Sequence, residues 1–293
     1  MKKIKAFIYI FTNSLLSTKY YKEILKTPFS FSIKYLFILS FVLAFISSAA
    51  STYIRVPILK DTLLQFKQSV IQVYPDDLEV YINEGNWSIN KQEPFAIKTP
   101  QYLLETENNQ TAQDETYQSM VPNNFIVFDT DGTINDFYEA DTLMLLNEKN
   151  LLIKEESGYR TIVNEIDENQ NVVITKESFI EDLKPIDSIT NYLDYIFFFI
   201  FFVVLFIYFF IYRTFYLIFV AIILKLINIF IKPTLDFKEI YRVGLHSMTL
   251  PLILETMLIS GNTSLSLNID WFLLLNITIG TLVILSATKF DEA

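Results

Sequence analysis

The 37 residues from Tyr195 to Ile231 carry only two charges, Arg213 and Lys225. At 1.5 Å per residue, this run exceeds a hydrocarbon core of roughly 30 Å. It reads either as two spans turning near Arg213 or as one long helix with an inner amphipathic extension. A turn at Arg213-Thr214 would lack Gly, Pro or Asn. It would also leave Lys225, Lys232, Lys238 and Arg242 on the same side as an acidic middle segment, so one span is favoured. Ile33–Ile54 is a second apolar run, with Lys34 at its inner edge. The basic stretch before it is longer than a usual signal peptide provides, so a retained anchor is expected. Val243–Ser260 and Trp271–Thr288 complete the set, joined by the polar turn Gly261-Asn262-Thr263-Ser264, with Trp271 at an interface.

The expected fold is therefore an α-helical multi-pass membrane protein, with about four transmembrane helices and an inserted extracytoplasmic α+β domain. Its parts are a basic cytoplasmic head (1–32), a first transmembrane helix (33–54), the domain (55–190) and a membrane domain (191–293). Charge supports that order. Residues 1–34 hold seven Lys against the single acid Glu23, whereas residues 56–190 hold nine Lys/Arg against 25 Asp/Glu. Basic segments stay inside, so both termini are placed in the cytoplasm at the cell membrane. The acidic middle offers no phosphate footprint, and nucleic acid is not expected as a partner. With no Cys, the chain has neither a disulfide framework nor a thiolate metal site. No cofactor is expected.

In the head, Ile4, Phe7, Ile8, Phe11 and Leu15 recur at helical spacing behind Lys2, Lys3 and Lys5. Tyr20, Tyr21, Ile24 and Leu25 follow among further lysines, and Pro28 closes the segment. Such a helix is expected to lie on the anionic inner leaflet or to serve as a topology signal only. In the domain, the first span should continue as a helix to about Tyr74 and stop at Pro75-Asp76-Asp77. Strands are expected at Leu78–Ile82, Trp87–Ile89, Phe95–Ile97, Phe125–Phe128, Thr142–Leu146, Tyr159–Ile166 and Val172–Thr175. Asp167–Asn171 is a hairpin candidate, 105–119 a loop, and Glu177–Leu183 a short helix.

Phe128-Asp129-Thr130-Asp131-Gly132-Thr133 matches the nucleophile motif of haloacid-dehalogenase-type phosphatases, after an apolar run that suits its strand. That chemistry also needs a Lys for the phosphoryl group, a distal acidic pair for Mg²⁺ and an open α/β sheet. Glu155-Glu156 and Glu181-Asp182 lack the apolar strands that should precede such a pair. A calcium loop from Asp129, Asp131, Asp136, Glu139 and Asp141 has Gly132 two positions early for an EF-hand. A strand ending in an Asp/Gly turn is the leading reading.

Charges inside the apolar runs are costly, about 2.5–3.5 kcal/mol at the bilayer centre. Arg213 either snorkels to the inner headgroups or pairs with Glu255 in the third span. His246, the only histidine, is expected as a hydrogen-bonded or interfacial residue, because one His cannot build a metal site. Pro251 should kink its span.

Phe11-Thr12-Asn13-Ser14-Leu15, Tyr20-Tyr21 and Pro28, then Gly85-x-Trp87-Ser88-Ile89 and Glu93-Pro94, and finally Tyr241-Arg242 before Pro251 form a whole-chain pattern. It resembles an uncharacterised bacterial membrane family, a domain of unknown function some of whose members are labelled maltodextrin utilization protein. The last region is similar to Yip-type membrane proteins. The resemblance implies a multi-pass plasma-membrane protein and assigns no functional residues. The leading functional expectation is a non-enzymatic accessory or sensing protein. Its external domain would bind a ligand or partner, and its helices would couple to a membrane protein complex or transporter. A membrane-organising scaffold acting through lipid or helix packing is the alternative, and a tethered phosphatase using Asp129 and Asp131 a weaker one.

Overall fold

A computed structural model describes residues 2–104, 121–155, 158–163, 171–230, 235–261 and 270–288. It divides into a helical unit, Met1–Pro57 with Leu193–Ala293, and an α+β unit, Ile58–Tyr192.

In the helical unit, α1 (Lys2–Leu16) and α2 (Thr18–Ile24) precede α3 (Phe29–Val73), which runs through Pro57. Further along the chain, α6 (Lys184–Ile207) passes through a π-helical segment, Tyr208–Tyr212, into α7 (Arg213–Asn228). The chain thus continues straight past Arg213, and the alternative of a turn there is not realised. Then come α8 (Phe237–Ser247), α9 (Thr249–Ser260) and α10 (Trp271–Thr288).

Three helical runs, Phe29–Val73, Lys176–Asn228 and Phe237–Ser260, are long and apolar enough to cross a membrane. The apolar part of the fourth expected span, Trp271–Ser286 of α10, is shorter than these three. The third run is broken at Met248, between α8 and α9, rather than kinked within a continuous helix. Pro251 falls in the first turn of α9, where a missing N–H costs least. The turn expected at 261–264 lies outside the described residues beyond Gly261.

The bundle core gathers Leu36, Leu39, Leu43, Phe209, Leu217, Leu224, Leu245 and Leu252. Edge-to-face pairs Phe37–Phe206, Phe41–Phe202 and Phe45–Phe198, with centroids 5.2–5.5 Å apart, join α3 to α6. Gly244 and Gly280 give α7 its close neighbours. A Cβ at either would come within 2.6 and 2.7 Å of Leu217 and Leu224. In the head, Ile4 and Ile8 of α1 are exposed, whereas α2 is packed into the bundle. Tyr20, Tyr21 and Ile24 are buried together with Val243 of α8 and Val283 of α10, so protein covers the apolar face of α2.

In the α+β unit, β1 (Val80–Asn83) and β2 (Asn86–Ile89) form a hairpin. Its two turn residues, Glu84 and Gly85, both have positive φ, the type I′ solution that matches strand twist. With β8 (Asn171–Ile174) they make a three-stranded antiparallel sheet, β2-β1-β8. The five-stranded sheet runs β3-β4-β5-β6-β7, from Phe95–Lys98, Asn124–Phe128, Thr142–Leu146, Asn150–Glu155 and Gly158–Val163. Only β4 and β5 are parallel, linked through α4 (Ile134–Glu139). Strand β6 and helix α4 were not expected from the sequence. The hairpin expected through Asp167–Asn171 is corrected. β7 pairs with β6 and β8 with β1, in different sheets, and residues 164–170 lie outside the described residues. The 105–119 loop also lies outside them. The short helix expected at Glu177–Leu183 is α5 (Lys176–Asp182). A core of Tyr74, Leu78, Val80, Ile97, Phe128 and Leu146 holds the unit, and Lys67–Asp187 (2.7 Å) ties the end of α3 to the start of α6.

Candidate functional site

Arg213 is brought against Glu255 of α9 as an ion pair, with side chains only 6% and 11% exposed. Of the two expectations for Arg213, the geometry matches pairing rather than snorkelling. The Tyr208 hydroxyl sits between the two, accepting from Arg213 Nη2 at 2.6 Å and donating to Glu255 Oε1 at 2.6 Å. Tyr208 and Arg213 are five residues apart. In a regular α-helix that separation points them to different faces, whereas the wider π turn brings them together.

The guanidinium carbon lies 3.6 Å from the Phe272 ring centroid, 4.9 Å from that of Tyr208, 5.2 Å from Tyr216 and 5.6 Å from Tyr212. Ring faces are electronegative, so this cage replaces part of the lost hydration of the cation. Tyr216 donates to Asp270 Oδ2 at 2.8 Å, and Asp270 Oδ1 accepts from the amide of Leu273 in the first turn of α10. The pair therefore links α7, α9 and α10. Arg213 Nε and Glu255 Oε2 are buried without a hydrogen-bond partner among the described residues, so the charges rest on their direct contact, the shared Tyr208 hydroxyl and the cage. A buried pair held in this way resists loss of either member more than it adds net stability.

A second buried cluster surrounds His246. Its Nδ1 meets the Tyr20 hydroxyl at 2.9 Å, its Nε2 meets Ser32 Oγ at 3.0 Å, and its ring stacks on Tyr35 with centroids 4.7 Å apart. Ser14, Tyr35 and Thr249 close a triangle of hydroxyls at 2.8–3.0 Å. Tyr21 donates to the Ser14 carbonyl, and Arg242 donates to the Ile24 and Leu25 carbonyls at the C-terminal end of α2. A cation at that end also meets the negative pole of the helix dipole. The histidine is hydrogen-bonded, as expected. Its partners Ser32 and Tyr35 were missed, because no local pattern joins residues more than 200 positions apart. Ser14, Tyr20, Tyr21 and Arg242, scattered through the whole-chain pattern in the sequence, converge here.

In the α+β unit, Asp129 follows β4 and its carbonyl accepts from Gly132 N at 2.9 Å, closing a tight turn. Thr130 donates from both N and Oγ1 to Glu93. Thr133 begins α4 with a capping box to Asp136, whose carboxyl is held below the usual range by the Thr133 hydrogen bonds. Partial burial, then Asp136 and Glu93, push the Asp129 carboxyl up. Among the described residues, no group of three or more His, Cys, Asp or Glu is placed to hold a metal ion. The sheet around Asp129 has a single parallel pair, unlike the open α/β sheet that phosphoryl transfer on this motif requires. The geometry is that of a capped turn.

Together these features define a helical bundle with a mostly apolar core, a few buried charged and polar side chains and many exposed apolar ones, carrying an inserted α+β unit. Residues 9–287 match the family described as protein of unknown function (DUF1189), and the chain belongs to that family. No curated protein and no solved structure matches it.

Proposed function

We propose that the chain is a multi-pass membrane protein with both termini in the cytoplasm and residues 55–190 outside the cell. It acts as a non-enzymatic accessory or sensing protein whose external unit binds a ligand or partner. The observation that carries this reading is the inverted polarity of the helical unit. Phe199, Phe215 and Phe219 of the long α6–α7 run are 64–67% exposed, while Arg213, Asn228, His246 and Asn276 are buried. A continuous exposed apolar surface of this kind suits lipid as its solvent. The Arg213–Glu255 pair then serves as a strut that fixes α7 against α9, so a change on α6 is transmitted to the bundle. The scaffold alternative acts through lipid or helix packing and draws on the amphipathic head, whose α2 packs against α8 and α10.

Single cysteines at Ser119, Thr234 and Ser260 test the topology in intact cells, since the native chain has none. An impermeant reagent should label 119 and 260 and spare 234. Protection of 119 would place the acidic unit in the cytoplasm and overturn the reading.

A further inference from the structure

Helix α4 packs on one face of the five-stranded sheet, where Phe137, Leu145 and Leu152 are buried together against Tyr159. Alternate residues of a strand share a face, so Lys154 of β6 projects on the same side as Leu152. Its partner across the ladder is Tyr159 of β7. Phe137 also belongs to a pocket of about 200 Å³, lined further by Tyr138, Asp141, Lys154, Glu155 and Gly158. Three of these side chains keep bonding capacity. Five other basic groups of the unit, Lys67, Lys91, Arg160, Lys176 and Lys184, are in ion pairs. Lys154 makes none among the described residues, and Glu155 beside it is already paired with Arg160. Asp141 Oδ2 accepts from the backbone and side-chain N–H groups of Asn123 at 3.0 and 2.7 Å, which leaves Oδ1 without a partner among the described residues. The Tyr138 hydroxyl likewise has none, and it lies 3.9 Å from where a Cβ on Gly158 would stand. A cation, an anion and a hydroxyl thus line one small space beside aromatic rings.

We propose that this pocket binds a free α-amino acid. Asp141 receives the ammonium group, Lys154 the carboxylate, and the rings of Phe137 and Tyr138 the side chain. The inference rests on the reading of residues 55–190 as a ligand-binding unit and names the ligand class. Size sets one limit, because pockets for drug-sized ligands begin at about 300 Å³. Charge sets the other. A simple anion would approach a segment with 25 acids against nine basic residues, and a simple amine would meet Lys154. A zwitterion answers both signs and carries no net charge.

The test is calorimetric titration of the purified full chain in detergent with each of the free L-amino acids in turn. At least one with an apolar side chain should bind. Its N-acetyl and its amide derivatives should each bind about tenfold more weakly or worse. Lys154→Gln and Asp141→Asn should each weaken it by about tenfold, whereas Lys149→Gln, exposed and outside the pocket, should leave it unchanged. Asp141 has a φ of 43°, which Asn tolerates as well as Asp, so that variant keeps the local backbone. No binding by any amino acid at millimolar concentration would overturn the inference. Equal affinity for the blocked forms would also overturn it and still leave a ligand-binding unit. Binding to the purified chain does not depend on which side of the membrane the unit faces. Protection of a cysteine at 119 would therefore remove the external placement and leave this site standing.

Discussion

Arg213 and Glu255 show what a single buried charge demands of its surroundings. Replacing either alone, by Arg213→Leu or Glu255→Gln, leaves the other charge or its partner unmatched in a closed interior. The expected cost is about 3–5 kcal/mol, read as a lowered melting temperature in detergent. Exchanging the two residues should recover much of it, and an exchange as unstable as the single variants would refute the strut. Tyr208→Phe removes one hydroxyl shared by both ions and should cost about 1.5–3 kcal/mol. Asp129 offers a pH signature in the α+β unit. Its carboxyl titrates above the ordinary carboxylate range in the folded state, so the folded form binds the proton more readily than the unfolded one. Its contribution therefore favours folding at low pH and is lost as pH rises through the raised value. Asp129→Asn should remove that slope and raise the melting temperature near neutrality. Arg213 and Glu255 were legible because a charge stands out in an apolar run. Tyr208 and Phe272 were not, because in a chain with 17 Tyr and 27 Phe no single ring is distinctive.

At the scale of elements, the contact between α7 and its neighbours depends on two missing side chains. Gly244→Val would drive a branched side chain into Leu217, and Gly280→Val would meet Leu224. Each should cost about 1–3 kcal/mol by overpacking. Leu217→Ala combined with Gly244→Val should recover part of the loss in a double-mutant cycle, whereas strict additivity would show that the two do not touch. The long helices could be read from run length, since only a helix satisfies its backbone through so many apolar residues. The misread elements were short. Asn150–Glu155 follows a turn without a clear period-two pattern, and Ile134–Glu139 announces itself only through the Thr133-to-Asp136 box at its start. The pairing of β8 with β1 joins residues about 90 positions apart, which no local rule supplies.

At the scale of the whole molecule, the two units have separate cores, and that makes them separable. Residues 58–192 enclose their own apolar clusters around Leu78 and Leu145. Expressed alone, the unit should fold with a cooperative thermal transition, and absence of such a transition would weaken the idea of an independent binding unit. The bundle has the opposite character, because Ser14, Tyr20, Ser32, Arg242 and His246 bring its beginning and end together. Deleting residues 2–27 is therefore expected to destabilise the bundle rather than release a dispensable arm, as a lowered melting temperature would show. Charge and apolar runs are readable along the sequence, while this closure emerges only in three dimensions.

The π segment also sets where the chain tolerates a change of length. Leu205, Phe209, Arg213 and Leu217 are all buried at intervals of four, a spacing that drifts around a regular helix by about 40° at each step. The wide turn at Tyr208–Tyr212 absorbs that drift, so the inward line stays inward. Removing one residue within those five positions would leave an ordinary helical repeat with its two faces still in phase. Removing one near Val220 would swing everything beyond it by about 100° and bring the outward rings into the core. The five residues before Arg213 are thus the place where this long helix can lose a residue and keep its faces.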